Sequence, residues 1–148
     1  MKWITHIGFS VLIFLIIKEL FEITSQTTIF LSLIFCIFGG LLPDIDIHFK
    51  FLSKHREVLH SSIGLAVLSL FIFIIFRILN LNIVTFCFIF GYFFHLFLDS
   101  FTRMGIKWLP LTKKSKGGVK TGGFKEKVIT IVIWILVIIF ALSTTLFN

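Results

Sequence analysis

The sequence predicts an all-α, polytopic integral membrane bundle of about five transmembrane helices, with residues 1–148 forming one domain. Three observations carry this. Hydrophobic residues make up 57% of the chain against 14% charged, with a mean hydropathy of +1.08, which excludes an ordinary soluble domain. Apolar runs long enough to cross a bilayer recur along the chain. The basic residues gather in alternate connecting segments, as membrane topology requires.

The expected spans are 3–20, 27–42, 58–79, 83–101 and 128–147. The first two are short for a hydrocarbon core of about 30 Å at about 1.5 Å per residue. The first is expected to be a retained helix rather than a cleaved signal peptide: Lys18, Glu19 and Glu22 follow its apolar run, where a small-residue cleavage site would be needed. Cys36 and Cys87 lie inside apolar runs with no CxxC or Cys–His spacing, and read as small buried side chains. If the N-terminus is cytoplasmic, the inner segments hold Lys2, Lys50, Lys54, Arg56, Arg103, Lys107, Lys113, Lys114, Lys116, Lys120, Lys125 and Lys127. Only Lys18 and Arg77 fall outside. Twelve against two sets the expected topology: N-terminus in the cytoplasm, C-terminus outside.

On that map every histidine and every aspartate falls on the inner side. His6 opens the first helix, and Asp44 and Asp46 leave the second. His48, His55 and Arg56 follow in the loop, and His60 enters the third helix. His95 and Asp99, four residues apart, share one face of the fourth. Charges this close to hydrocarbon cost several kcal/mol unless compensated, and a divalent metal ion is the compensation expected. One turn deeper lie Ser10, Gly40, Gly64 and Gly91, small residues that let membrane helices approach closely beneath the polar cluster.

The candidate ligands are His6, Asp44, Asp46, His55, His60, His95 and Asp99, with His48 in reserve. Nitrogen and oxygen donors without thiolate suit zinc, with manganese or iron as alternatives, and suit magnesium less because of the imidazoles. Three aspartates beside the histidines argue against haem. Seven ligands exceed what one tetrahedral ion needs and would suit two ions sharing a carboxylate, as in phosphoester hydrolysis; one or two ions are expected. In that chemistry Arg56 would neutralise a phosphate oxygen with its planar fork. Glu126, at the inner start of the fifth helix, would orient water or protonate a leaving group. Plainer explanations stand beside these: a hydrogen-bonded His95–Asp99 pair, an interfacial turn after Pro43, a solvated His6, and Arg56 as a topology charge.

The 102–127 loop is basic and Gly-rich, but no Gly-Lys-Ser/Thr follows its glycine spacing, so it is not a P-loop. Its expected partners are the bilayer and anionic lipid headgroups. Without aromatic interleaving or a recognition helix, no specific nucleic-acid binding is expected.

Four blocks carry a family resemblance: Thr5-His6; Leu41-Leu42-Pro43-Asp44-Ile45-Asp46; His55-Arg56 with His60-Ser61; and Gly91-Tyr92-x-x-His95-x-x-x-Asp99-x-x-Thr102-x-x-Gly105, ending at Trp108 and Pro110. In this order and spacing the chain resembles the YdjM-like family of membrane-bound metal-dependent hydrolases, some of them LexA-regulated. Thr121-Gly122-x-x-x-Glu126 matches a less regular family feature. The resemblance implies a hydrolase whose His and Asp residues hold metal. It extends distantly to the zinc-dependent phospholipase C and P1 nuclease superfamily, which implies His6, Asp44 or Asp46, His60, His95 and Asp99 as ligands. One departure is Ile47, where the family usually has His directly after its Asp-x-Asp; here His48 comes one residue later.

The function expected is an integral membrane metal-dependent hydrolase with a cytoplasm-facing centre, cleaving a phosphoester such as a phospholipid or lipid-linked phosphate. A membrane scaffold with a structural polar cluster is the main alternative. A divalent-metal transporter is a weaker one, because the outer halves of the spans are almost wholly apolar.

Overall fold

A computed structural model of the chain describes residues 1–45, 59–109, 112–115 and 117–146. The apolar runs form five helices: α1 (Trp3–Leu20), α2 (Gln26–Ile45), α3 (Ser62–Ile78), α4 (Asn82–Ser100) and α5 (Phe124–Leu146). No strand occurs among the described residues, only two isolated bridges in the α4–α5 loop. Four of the helices are long and apolar enough to cross a membrane; α3, with 17 residues, is shorter. Asp46, His48, His55 and Arg56 lie outside the described residues.

Three boundaries differ by three or four residues from those expected, among them the start of α3, at Ser62 rather than 58. The second span was expected to close at 42, yet α2 continues through Pro43 to Ile45. Proline removes one rung of the helix, the bond to the Gly39 carbonyl. The close packing of Gly39 and Gly40 on neighbouring helices carries α2 across that gap. The last helix begins at Phe124 rather than 128, which puts Glu126 in its first turn, where a carboxylate favours the positive helix end.

α2 and α4 run parallel at the centre and make the most extensive contact, while α1, α3 and α5 run the other way. Their backbones nearly touch. A Cβ on Gly91 would meet the Cys36 carbonyl and stand 3.2 Å from the Gly40 nitrogen; one on Gly39 would stand 3.0 Å from the Tyr92 nitrogen. Gly40 faces the Ser10 hydroxyl of α1. Three of the four small residues expected beneath the polar cluster therefore do meet, and the fourth, Gly64, is buried. α1 also packs on α5, where Trp134 covers Gly8. α3 leans on α4.

The interior has two apolar clusters. Phe14, Ile17, Cys36 and Cys87 fill the end away from the polar residues. Phe88, Tyr92, Leu96 and Ile106 lie closer to them, with Trp108 packed alongside. The α4–α5 loop thus folds back onto the bundle: Ile106 is 2% exposed, and bridges join Thr102 to Val119 and Ile106 to Ser115. Large apolar side chains face outward along α3 (Val67, Leu70, Phe71, Ile74) and α5 (Ile131, Ile135, Ile138, Ile139). In water such a surface would drive aggregation; in a bilayer it faces lipid.

Candidate metal centre

At one end of the bundle four side chains from three segments converge. Asp44 comes from the last turn of α2, His60 from the turn before α3, and His95 and Asp99 from the last turns of α4. One ligand atom from each lies within 4.8 Å of every other. His60 Nε2 is 3.5 Å from Asp44 Oδ1 and 4.0 Å from Asp99 Oδ2. His95 Nε2 is 3.7 Å from Asp44 Oδ1 and 3.6 Å from Asp99 Oδ2. These gaps are too long for hydrogen bonds. They come close to the donor–donor edge of about 3.3 Å that follows from tetrahedral bonds of about 2.0–2.1 Å.

The donor chemistry fits a divalent cation. Two carboxylates supply two negative charges beside imidazoles, and the buried His95 Nε2 has no hydrogen-bond partner among the described residues. His95 Nδ1 lies 2.7 Å from the Gly40 carbonyl. A carbonyl only accepts, so Nδ1 carries a proton, and in the neutral ring Nε2 then presents its lone pair to the carboxylates. Metal-ligating histidines are oriented in this way, through the hydrogen bond of the other ring nitrogen. Gly40 is within reach because it has no side chain.

His6 stands beside the four. Its ring stacks on His95 with centroids 4.0 Å apart, and Nε2 is 3.4 Å from Asp99 Oδ1. Both its ring nitrogens are buried without a hydrogen-bond partner. Asp99 is thus two-sided: Oδ2 faces His60 and His95, while Oδ1 faces His6 and accepts from the Met1 ammonium. Exposure is uneven around the centre: His60 and Asp99 are 17% and 14% exposed. The side chains of His6 and His95 are fully covered, whereas Asp44 is 23% exposed.

Other motif residues hold the ligands in place. Ser61 caps α3 by accepting from the Gly64 amide, which fixes the chain direction directly after His60. The Tyr92 hydroxyl donates to the Leu59 carbonyl at 2.6 Å, fastening the segment before His60 to α4. Thr102 donates to the Asp99 carbonyl at 2.8 Å and accepts from the Gly105 amide. Gly105 has φ +62°, a conformation glycine adopts freely. The spacing Asp99-x-x-Thr102-x-x-Gly105 therefore closes the end of α4. Trp108 accepts at its carbonyl from both the Ser62 amide and hydroxyl, clamping the loop across the start of α3.

Glu126 is 2% exposed, and its two oxygens accept from the backbone amides of Lys2 and Gly122. Thr130 donates to the Glu126 carbonyl, so in the 2.8 Å contact between Thr5 and Thr130 it is Thr5 that donates. These bonds tie the first turn of α1, and with it His6, to α5. Sequence reasoning missed Tyr92 as a support for His60. Its signal was the chain's only tyrosine, one turn before His95.

Fold and site together define a polytopic helical membrane protein with a His/Asp group that could bind a metal. The chain belongs to the YdjM family, described as YdjM inner membrane protein, whose model matches residues 1–147. No curated protein and no solved structure matches it significantly.

Proposed function

We propose that the protein is a membrane-embedded, metal-dependent hydrolase acting on a phosphoester borne by a lipid. The observation that carries the proposal is the approach of Asp44, His60, His95 and Asp99, with the His95 lone pair aimed among carboxylates that it does not hydrogen-bond. A scaffold has no need to bury an unpartnered imidazole nitrogen at a cost of about 1–3 kcal/mol.

In this proposal Asp44, His60, His95 and Asp99 hold the ion, zinc by preference for its donor set. His6 lies against the second oxygen of Asp99, which the Met1 ammonium also contacts, so His6 would join a second ion only if it displaced that ammonium. The ion supplies Lewis acidity toward a phosphoryl oxygen and activation of water. Substrate would approach where Asp44, His60 and Asp99 are partly exposed. Arg56 is assigned to a non-bridging phosphate oxygen, for which its fork is suited. Glu126 is assigned a positioning role through the first turn of α1, because backbone amides take both its oxygens. In this reading the end of the bundle that carries the centre faces the cytoplasm, a direction that the distribution of basic residues supports.

The test is elemental analysis of detergent-purified protein, wild type beside Asp99→Ala, with hydrolysis of a lipid phosphodiester measured on the same samples. Wild type should carry about one to two equivalents of transition metal and hydrolyse the ester; the variant should lose both while remaining helical. Metal at background in wild type refutes the centre. Metal without hydrolysis of any lipid phosphoester leaves a structural site and refutes the activity.

A further inference from the structure

A second feature lies on the membrane-facing side of the same end. The first turns of α1 and α5 leave between them an open cavity of about 290 Å³, bordered by Lys2, Ile4, Gly122, Glu126, Lys127 and Ile131. That volume is at the lower end for small-molecule sites. Its wall is mostly apolar, with Ile4 and Ile131 facing outward along the spans. At the rim the Lys2 side chain extends over the Gly122 turn, with Cε 3.6 Å from where a Cβ on Gly122 would sit.

The charge of this groove is positive. Neither Lys2 nor Lys127 has an acidic partner within ion-pair distance among the described residues. Glu126, which borders the groove, is engaged by two backbone amides, and two lysines against this one carboxylate leave the rim net positive. Cationic rim above and apolar wall below match a molecule with an anionic head and a hydrocarbon tail.

We propose that this groove binds an anionic phospholipid, its phosphate between Lys2 and Lys127 and its acyl chain against Ile4 and Ile131. The site is independent of the hydrolase activity and would hold in a protein with none. A bound lipid bridges α1 and α5, of which α5 is the least buried of the four long apolar helices.

The test is lipid retention by the full chain in detergent, read by native mass spectrometry and by thermal shift, with phosphatidylglycerol against phosphatidylcholine. Wild type should retain phosphatidylglycerol selectively. Lys2→Gln and Lys127→Gln should each weaken that retention about fivefold, and Arg77→Gln, in the last turn of α3 at the other end of the bundle, should leave it unchanged. Lys2→Gln keeps the bond to Glu126, which uses the backbone amide, so lipid-free melting serves as its folding control. Equal retention of both lipids by wild type overturns the proposal, as does undiminished selectivity in the double lysine variant. Inorganic phosphate giving the same thermal shift as phosphatidylglycerol would mark an anion site without a lipid and overturns it too.

Discussion

Replacing Gly91 with alanine tests the geometry on which the centre depends. The new Cβ would meet the Cys36 carbonyl oxygen, stand 3.0 Å from its carbonyl carbon and 3.2 Å from the Gly40 nitrogen. All three are backbone atoms of α2, so no rotamer change relieves the contact. Restoring ordinary van der Waals separation requires α2 and α4 to part by about 1 Å, a gap that forfeits a quarter to a half of each dispersion contact across it. The cost expected is about 1–3 kcal/mol, typical of overpacking. The same displacement stretches the bond between His95 Nδ1 and the Gly40 carbonyl from 2.7 Å toward the limit for hydrogen bonding. It also moves Asp44 away from His95, already 3.7 Å off. Loss of such an orienting bond weakens metal binding about 10–100-fold. The assay is metal titration and thermal unfolding of purified Gly91→Ala beside Gly118→Ala, a control at a position with nothing within 4 Å. Gly91→Ala with wild-type metal affinity and melting temperature would refute the reasoning that helix contact sets the ligand geometry.

Tyr92→Phe removes the hydroxyl that holds the Leu59 carbonyl. It should cost about 1 kcal/mol of stability and loosen His60, seen as weaker metal binding without loss of helix by circular dichroism. Glu126→Gln keeps shape but sets a second donor against the amides of Lys2 and Gly122. A destabilisation of about 1.5–3 kcal/mol is expected, and an unchanged melting temperature would contradict the assigned role. Asp44→Ala should abolish metal retention as fully as Asp99→Ala, because both carboxylates approach both His60 and His95; retained metal would exclude Asp44 as a ligand. Thr102→Val loses the bonds to the Asp99 carbonyl and the Gly105 amide, and should lower melting while metal binding falls less than in Tyr92→Phe.

Spans and site were legible in the sequence to different depths. Apolar runs announce membrane helices because nothing else tolerates them, and the placement of every His and Asp at one end foretold that Asp44, His60, His95 and Asp99 would meet. Gly40 and Gly91 were legible as close-approach positions, since small residues have that use in membranes. The tethers were not. Tyr92 to Leu59, His95 to Gly40 and Ser62 to Trp108 all end on backbone carbonyls, which every residue has, so the acceptor leaves no mark in the sequence. Glu126 was legible as a charge at a helix start, while its backbone partners, distant in sequence, were not. The α4–α5 loop reads as a basic, Gly-rich connector. Ile106 and Trp108, apolar residues amid its lysines, were the sign that it folds onto the core.

α3 has the least to hold it. It rests on α4 and is fastened near its start by Ser62 on the Trp108 carbonyl, Leu59 on Tyr92, and His60 among the carboxylates. Between helices in lipid there is no hydrophobic force to draw them together. A cation gripped by His60 from this segment, Asp44 from α2 and Asp99 from α4 would therefore act as a clasp on an otherwise loosely docked helix. Chelation should then show first as protease sensitivity at the foot of α3, making cation supply a condition of assembly as well as of chemistry.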